Sequence, residues 1–306
     1  MVNNDPNAGR VGFIIMSVIT AGILISGPLT LLFVDTNRVL TTPGPGILEF
    51  CMWGIMCLAI PFSIWHSAVT KGAVPGLIAV GLTIFAAWLA EGVGVNYGMW
   101  FGSYHYTELF NPKIWGVPLI ICIAWEPMLY GAYLVTDFLV PIKVDKKASW
   151  FHKLLPLLVL SFIGCLVTTS YDLPADMDAV QRGWWVWHDG GPWMSHIVGG
   201  VPVKNYMGWL GLSFICMAIY RLADFFKTST KRSVYLDVYI RPLMYLQVAM
   251  FIEGFAWIYL KRPEVILAGT GMMMIALFAC MKAVAYKMGY GREAYAYLND
   301  IKGKLS

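Results

Sequence analysis

Three glutamates fall inside long apolar runs of this chain: Glu91 in WLAEGVG, Glu126 in IAWEPMLYGAYLVTD and Glu253 in MFIEGFAW. A carboxyl inside hydrocarbon costs at least about 2.5–3.5 kcal/mol on insertion scales, so each marks a candidate functional site whose partner must be found. Glu91 follows Trp88 and opens the glycine- and aromatic-rich stretch EGVGVNYGMWFGSYHYT, with Tyr104, His105 and Tyr106 near its end. On a helix, Glu126, Tyr130 and Tyr133 share one face at i, i+4 and i+7, and Pro127 is expected to kink the backbone there. Removal from water disfavours the charged form of a carboxyl, so an acid flanked by phenols in an apolar bundle is expected to keep its proton near neutrality and be able to donate it.

A second stretch, YDLPADMDAVQRGWWVWHDGGPWMSHIVGGVPVKNYMGWLG, places Asp172, Asp176 and Asp178 where an apolar run ends, with Pro174 expected to break the helix among them. Trp184, Trp185, Trp187, Trp193 and Trp209 follow. An interfacial belt accounts for tryptophans at a membrane boundary but not for acids beside them. The acids lack the glycine and glutamate positions of a calcium loop. No histidine pair has metal-helix spacing: His105, His188 and His196 are scattered over the two polar stretches, and His66 and His152 are read as solvated. Phosphate-binding loops, dinucleotide fingerprints and nucleophile elbows are missing, so neither a cofactor nor a metal is expected. Dry acids ringed by indoles and phenols suit protonation of an alkene. The resulting tertiary cation is stabilised by ring faces, and a neighbouring carboxylate orients water or takes a proton back.

These residues must be positioned by membrane helices. The chain of 306 residues is 58% hydrophobic and 13% charged, and apolar runs near the ~20-residue length needed to cross a bilayer are expected at 11–34, 46–66, 74–95, 115–139, 154–170, 207–222, 239–260 and 264–286. The expected fold is therefore an all-α, single-domain polytopic bundle of about eight transmembrane helices, its first span retained. With the amino terminus inside, sixteen of the 22 basic residues fall on the cytoplasmic side, which favours a cell-membrane protein with both termini cytoplasmic. The six cysteines lie in apolar runs and read as small buried hydrophobes. The long outer connections 96–114 and 171–206 carry the polar aromatic stretches, as functional loops often do. WLAEGVG and MFIEGFAW form a weak internal echo.

The segment from Glu91 to Val135 resembles the first signature of the integral-membrane carotenoid biosynthesis proteins, which include carotenoid 1,2-hydratases of the CruF type. The segment DMDAVQRGWWVWHDGGPWMSHIVGGVPVKNYMGWLG resembles their second, and the closer likeness spans about 85–215. The resemblance implies hydration of the terminal ψ-end double bond of an acyclic or half-cyclised carotenoid. It also implies that Glu91, Tyr104, His105, Tyr106, Trp125, Asp176, Trp185, Trp187, Asn205 and Trp209 line the site. Joined with the reading above, the expected acid–base set is Glu91, Asp172, Asp176, Glu126 and His105, with Trp88 and Tyr130 among the substrate-binding rings. The expected partners are a lipophilic carotenoid and membrane lipid, with no nucleic acid. An end-group cyclase or isomerase, a proton-coupled transporter and a pigment-binding subunit stay open as alternatives.

Overall fold

A computed structural model describes residues 5–33, 47–109, 111–142, 149–181, 183–188, 200–229, 231–255, 263–291 and 293. Its helices are α1 (Arg10–Phe33), α2 (Ile47–Lys71), α3 (Ala73–Tyr97), α4 (Leu119–Leu139), α5 (Trp150–Gln181), α6 (Val203–Phe225), α7 (Ile240–Phe255) and α8 (Pro263–Met288). Each expected apolar run falls on one of them. Five helical segments, Ala73–Tyr97, Leu119–Leu139, Trp150–Val180, Val203–Phe225 and Val265–Met288, are long and apolar enough to cross a membrane among the described residues. The connections between α3 and α4 and between α5 and α6 also hold short strands: β1 (Tyr104–Tyr106), β2 (Lys113–Ile114), β3 (Val117–Pro118) and β4 (Trp185–Trp187).

The bundle is organised around α4, which packs against α2, α3, α5, α6 and α7. Accordingly, Trp125, Glu126, Leu129, Tyr130, Ala132, Tyr133, Val135 and Phe138 are all buried. Its neighbours are one-sided. On α3 the inward positions Gly76, Ala79, Thr83, Ala87, Glu91 and Gly94 are small or polar, whereas the bulky Leu77, Ile78, Leu82, Phe85 and Leu89 face outward. Small inward residues let backbones approach, as is usual where lipid removes the hydrophobic drive between helices. A Cβ at Gly76 would stand 2.7 Å from the Ser67 backbone of α2.

Two expectations are corrected here. Pro174 does not end the helix: α5 runs through both Pro156 and Pro174 to Gln181. Proline removes one backbone donor, and a helix packed along its length on α6 and α8 tolerates that loss. The consequence is that Asp172 and Asp176 stand one turn apart on a single helical face. His66, expected to be solvated, is fully buried. Its Nε2 lies 3.2 Å from the Leu236 carbonyl, so it donates there and leaves Nδ1 to accept from the Tyr130 hydroxyl at 2.8 Å. His152 is exposed, beside Ser149. Cys122, Cys165 and Cys216 are buried free thiols. The side chains of Glu253, Cys51 and Cys57, together with Arg182, Trp193 and His196, lie outside the described residues.

One end of the bundle is tied by charge. Lys71 donates to the Tyr133 hydroxyl at 2.5 Å and to Asp224 at 2.6 Å, and Tyr133 donates to the other Asp224 oxygen at 2.7 Å. Arg221 pairs with Asp137 and lies over the Tyr133 ring, 4.5 Å from its centroid. Arg232 and Arg241 both reach Asp237. Thr228 and Ser229 bind the Lys71 carbonyl, and Ser233 binds that of Ala8, so the chain start and two connections meet at this end. Removing one partner of a buried pair strands the other charge. Lys71→Met is therefore expected to destabilise the detergent-solubilised protein. The loss should fall near the lower end of roughly 3–5 kcal/mol, because Asp224 is one-third exposed. Lys71→Met with Asp224→Asn should recover part of it, read as the difference in thermal midpoints.

Candidate active site

At the opposite end, the alternation Tyr-His-Tyr does what a two-residue period demands: Tyr104 and Tyr106 turn inward and His105 outward. β1 pairs antiparallel with β4, setting Tyr104 opposite Trp187 and Tyr106 opposite Trp185. Further bonds from Thr107 N to Trp184 O (3.1 Å) and from His188 N to Ser103 O (2.9 Å) extend the ladder. The two outer connections thus form one ribbon over the helix ends. Its position is set from α5: beyond the end of that helix Gly183 has φ 63°, a left-handed conformation suited to glycine. From there the Trp184 N–H bonds back to Ala179 O at 2.9 Å.

Beneath the ribbon lies a partly enclosed pocket of about 120 Å³. Glu91 enters it from α3, Trp125 from α4, Asp172 and Asp176 from α5, and Asn205 and Trp209 from α6; Tyr104, Tyr106, Trp184, Trp185 and Trp187 form the roof. The remaining wall, Phe101, Ile121, Ala124, Met128, Ala175 and Ile252, is apolar. Rings pack closely around it: Trp125 and Trp209 lie 3.9 Å apart between centroids, Tyr104 and Trp187 4.9 Å, and Tyr106 and Trp185 5.7 Å.

The carboxyls here are held by neutral donors. Glu91 receives the hydroxyls of Tyr104 and Tyr106 on one oxygen, the latter at 2.8 Å, and the Trp125 indole N–H on the other at 2.9 Å. Asp172 and Asp176 share the side-chain amide of Asn205, with Asp172 at 2.8 Å. All three acids are buried. Burial, reinforced by the neighbouring Glu91 carboxylate, pushes the Tyr104 and Tyr106 phenols well above their ordinary range.

Four expected site residues stand elsewhere. His105 is exposed on the outer side of the ribbon, stacked on His188 with Nδ1 and Nε2 2.7 Å apart. Trp88 packs against Trp115 outside the pocket and donates to Ile114 O at 3.3 Å. Glu126 lies deeper in the bundle, where it accepts from Thr83 at 2.8 Å and Tyr220 at 2.6 Å. Tyr130 lies against His66, Tyr133 and Tyr220. Conversely, the sequence reading passed over Phe101. Its signal was the chain reversal marked by Gly98 and Gly102, both at positive φ, which folds the ring back over Trp125 at 6.0 Å.

A family model described as carotenoid biosynthesis protein matches residues 47–297. No curated protein and no solved structure matches the chain.

The raised phenols give a pH prediction. A group whose ionised form is disfavoured in the fold stays neutral through the range in which exposed tyrosines ionise. Alkaline spectrophotometric titration of the folded protein and of a Tyr104→Phe/Tyr106→Phe variant should therefore release equal tyrosinate absorbance. An early loss of absorbance in the variant would show that these hydroxyls titrate normally.

Proposed function

The chain belongs to the carotenoid biosynthesis protein family, and from that premise we propose that it is a cofactor-independent carotenoid hydratase. It adds water across the terminal ψ-end double bond of an acyclic or half-cyclised carotenoid. The observation that carries this reading is the convergence of three buried carboxyls, from two helices, on one aromatic-walled pocket.

The roles divide by environment. Asp172 and Asp176 are two carboxyls on one amide, and like charges so close disfavour double ionisation; the pair carries a proton and is the acid. That proton passes to the less substituted carbon of the terminal alkene. The π pair forms the new C–H bond, and the positive charge falls on the tertiary carbon. Glu91, held in place by three donors, is placed to stabilise the cation, whose charge favours the carboxylate as a counter-charge. The indole and phenol faces spread the remaining stabilisation. Water then bonds to the tertiary carbon and returns one proton to the aspartate pair, so the acid is regenerated and the sum is alkene plus water to tertiary alcohol. The charge bias of the chain supports a topology with the basic end of the bundle in the cytoplasm and the pocket towards the outer face of the cell membrane.

The test is turnover of an acyclic ψ-end carotenoid by the purified protein in ¹⁸O-enriched water. A tertiary alcohol carrying the label is expected; a product of unchanged mass would replace hydration by cyclisation or isomerisation. Asp176→Asn should lower turnover by about 10²–10⁴-fold, the usual scale for a general acid. Glu126→Gln, outside the pocket, should leave turnover within a few-fold of the parent.

A further inference from the structure

Two polar atoms in residues of the pocket wall have no hydrogen-bond partner among the described residues: the indole Nε1 of Trp187 and the Oδ1 of Asp172, both shut off from bulk solvent. The contrast with their neighbours is what gives this weight. Both Glu91 oxygens have donors, the Trp125 N–H is used on Glu91, and the Asp172 Oδ2 is used on Asn205. A buried polar atom without a partner costs about 1–3 kcal/mol, and native proteins commonly meet that need with an ordered water or a ligand.

The two atoms differ in kind. The indole N–H only donates, whereas the carboxyl oxygen accepts. A single group that satisfies both must accept one hydrogen bond and donate another, which an alkyl or polyene carbon cannot do and a water or hydroxyl can. Both atoms are also held in place. Trp187 is opposite Tyr104 in the ribbon, with its ring 4.9 Å from the tyrosine ring. Asp172 is fixed on α5, with its other oxygen on Asn205. Resting on the hydratase reading above, we infer that Trp187 Nε1–H and Asp172 Oδ1 position the water molecule that captures the carbocation.

In this arrangement the indole N–H holds a lone pair of the water while Oδ1 takes one of its hydrogens. The other lone pair forms the C–O bond as the cation arrives. The water proton passes to Asp172, whose pair has just lost one to the alkene. Trp187 is thus a positioning residue for capture and takes no part in protonation.

Protonation and capture are separable by isotope. In deuterated, ¹⁸O-enriched water, every cation that forms carries deuterium. Captured cations give labelled alcohol; uncaptured ones lose a proton and return deuterated hydrocarbon. Trp187→Phe is expected to lower the ratio of labelled alcohol to deuterated hydrocarbon by about tenfold, the scale of one hydrogen bond, with deuterium entry persisting. Benzothienylalanine at 187, which exchanges only the N–H for sulfur, should do the same without altering ring packing, and Trp187→His, which keeps an N–H, should recover part of the ratio. An unchanged ratio in the benzothienylalanine protein would overturn the inference while leaving hydration intact. Absence of labelled alcohol from the parent protein would remove both.

Discussion

The Glu91 carboxyl is the joint on which the pocket end of the molecule depends. It sits on α3, yet its donors come from β1 and α4, so one side chain ties the loop ribbon to two helices. Because β1 is paired with β4, the same tie reaches the connection that follows α5. Losing this acceptor would leave two phenols and an indole unsatisfied together. The glycines around Glu91 belong to this joint. A Cβ at Gly94 would stand 2.9 Å from the Tyr104 ring, and one at Gly92 2.1 Å from that of Trp115.

The two ends of the bundle treat their acids differently. At the basic end Asp137, Asp224 and Asp237 each have a cation, and Lys71 and Arg221 both lie over the Tyr133 ring. At the pocket end, among the described residues, Glu91, Asp172 and Asp176 form no ion pair and are served by phenol, indole and amide. A cation beside an acid holds it as a carboxylate and ends its use as a proton donor. Neutral donors fix the position of an acid without that consequence. The first arrangement fastens helices; the second keeps acid chemistry available.

Much of this was legible in the sequence, for physical reasons that vary by residue. The helices followed from apolar length, and the membrane cost of Glu91 drew attention to the end of α3 that reaches the pocket. Tyr104, Tyr106, Trp185 and Trp187 were recognised by type and by resemblance, but their pairing as a ribbon joins residues about 80 positions apart, beyond any local period. His105 was misplaced although its own neighbours held the answer, since alternation in a strand sends it to the face opposite the tyrosines. Pro174 misled because local propensity cannot register the support of α6 and α8. Glu126 was correctly seen as buried, but periodicity along α4 does not reveal that Thr83 and Tyr220, on other helices, meet it below the pocket.

The proposed hydration would make opposed demands on water, and the ribbon suits both. In that reaction bulk water would quench the proton donor and intercept the cation without selectivity, which calls for a roof, while each turnover would consume one water, which calls for a polar group in it. A bare helix terminus would leave its orphan backbone groups open to solvent. A two-stranded ribbon pairs the backbone of alternate residues across its strands and turns every second side chain inward. Four inward positions across β1 and β4 are aromatic with a polar edge, Tyr104, Tyr106, Trp185 and Trp187. Each supplies an apolar face to the hydrocarbon and one donor at its rim. The phenols spend that donor on Glu91; on the inference above, the Trp187 indole, buried and without a partner among the described residues, is the roof's contact with the water to be added.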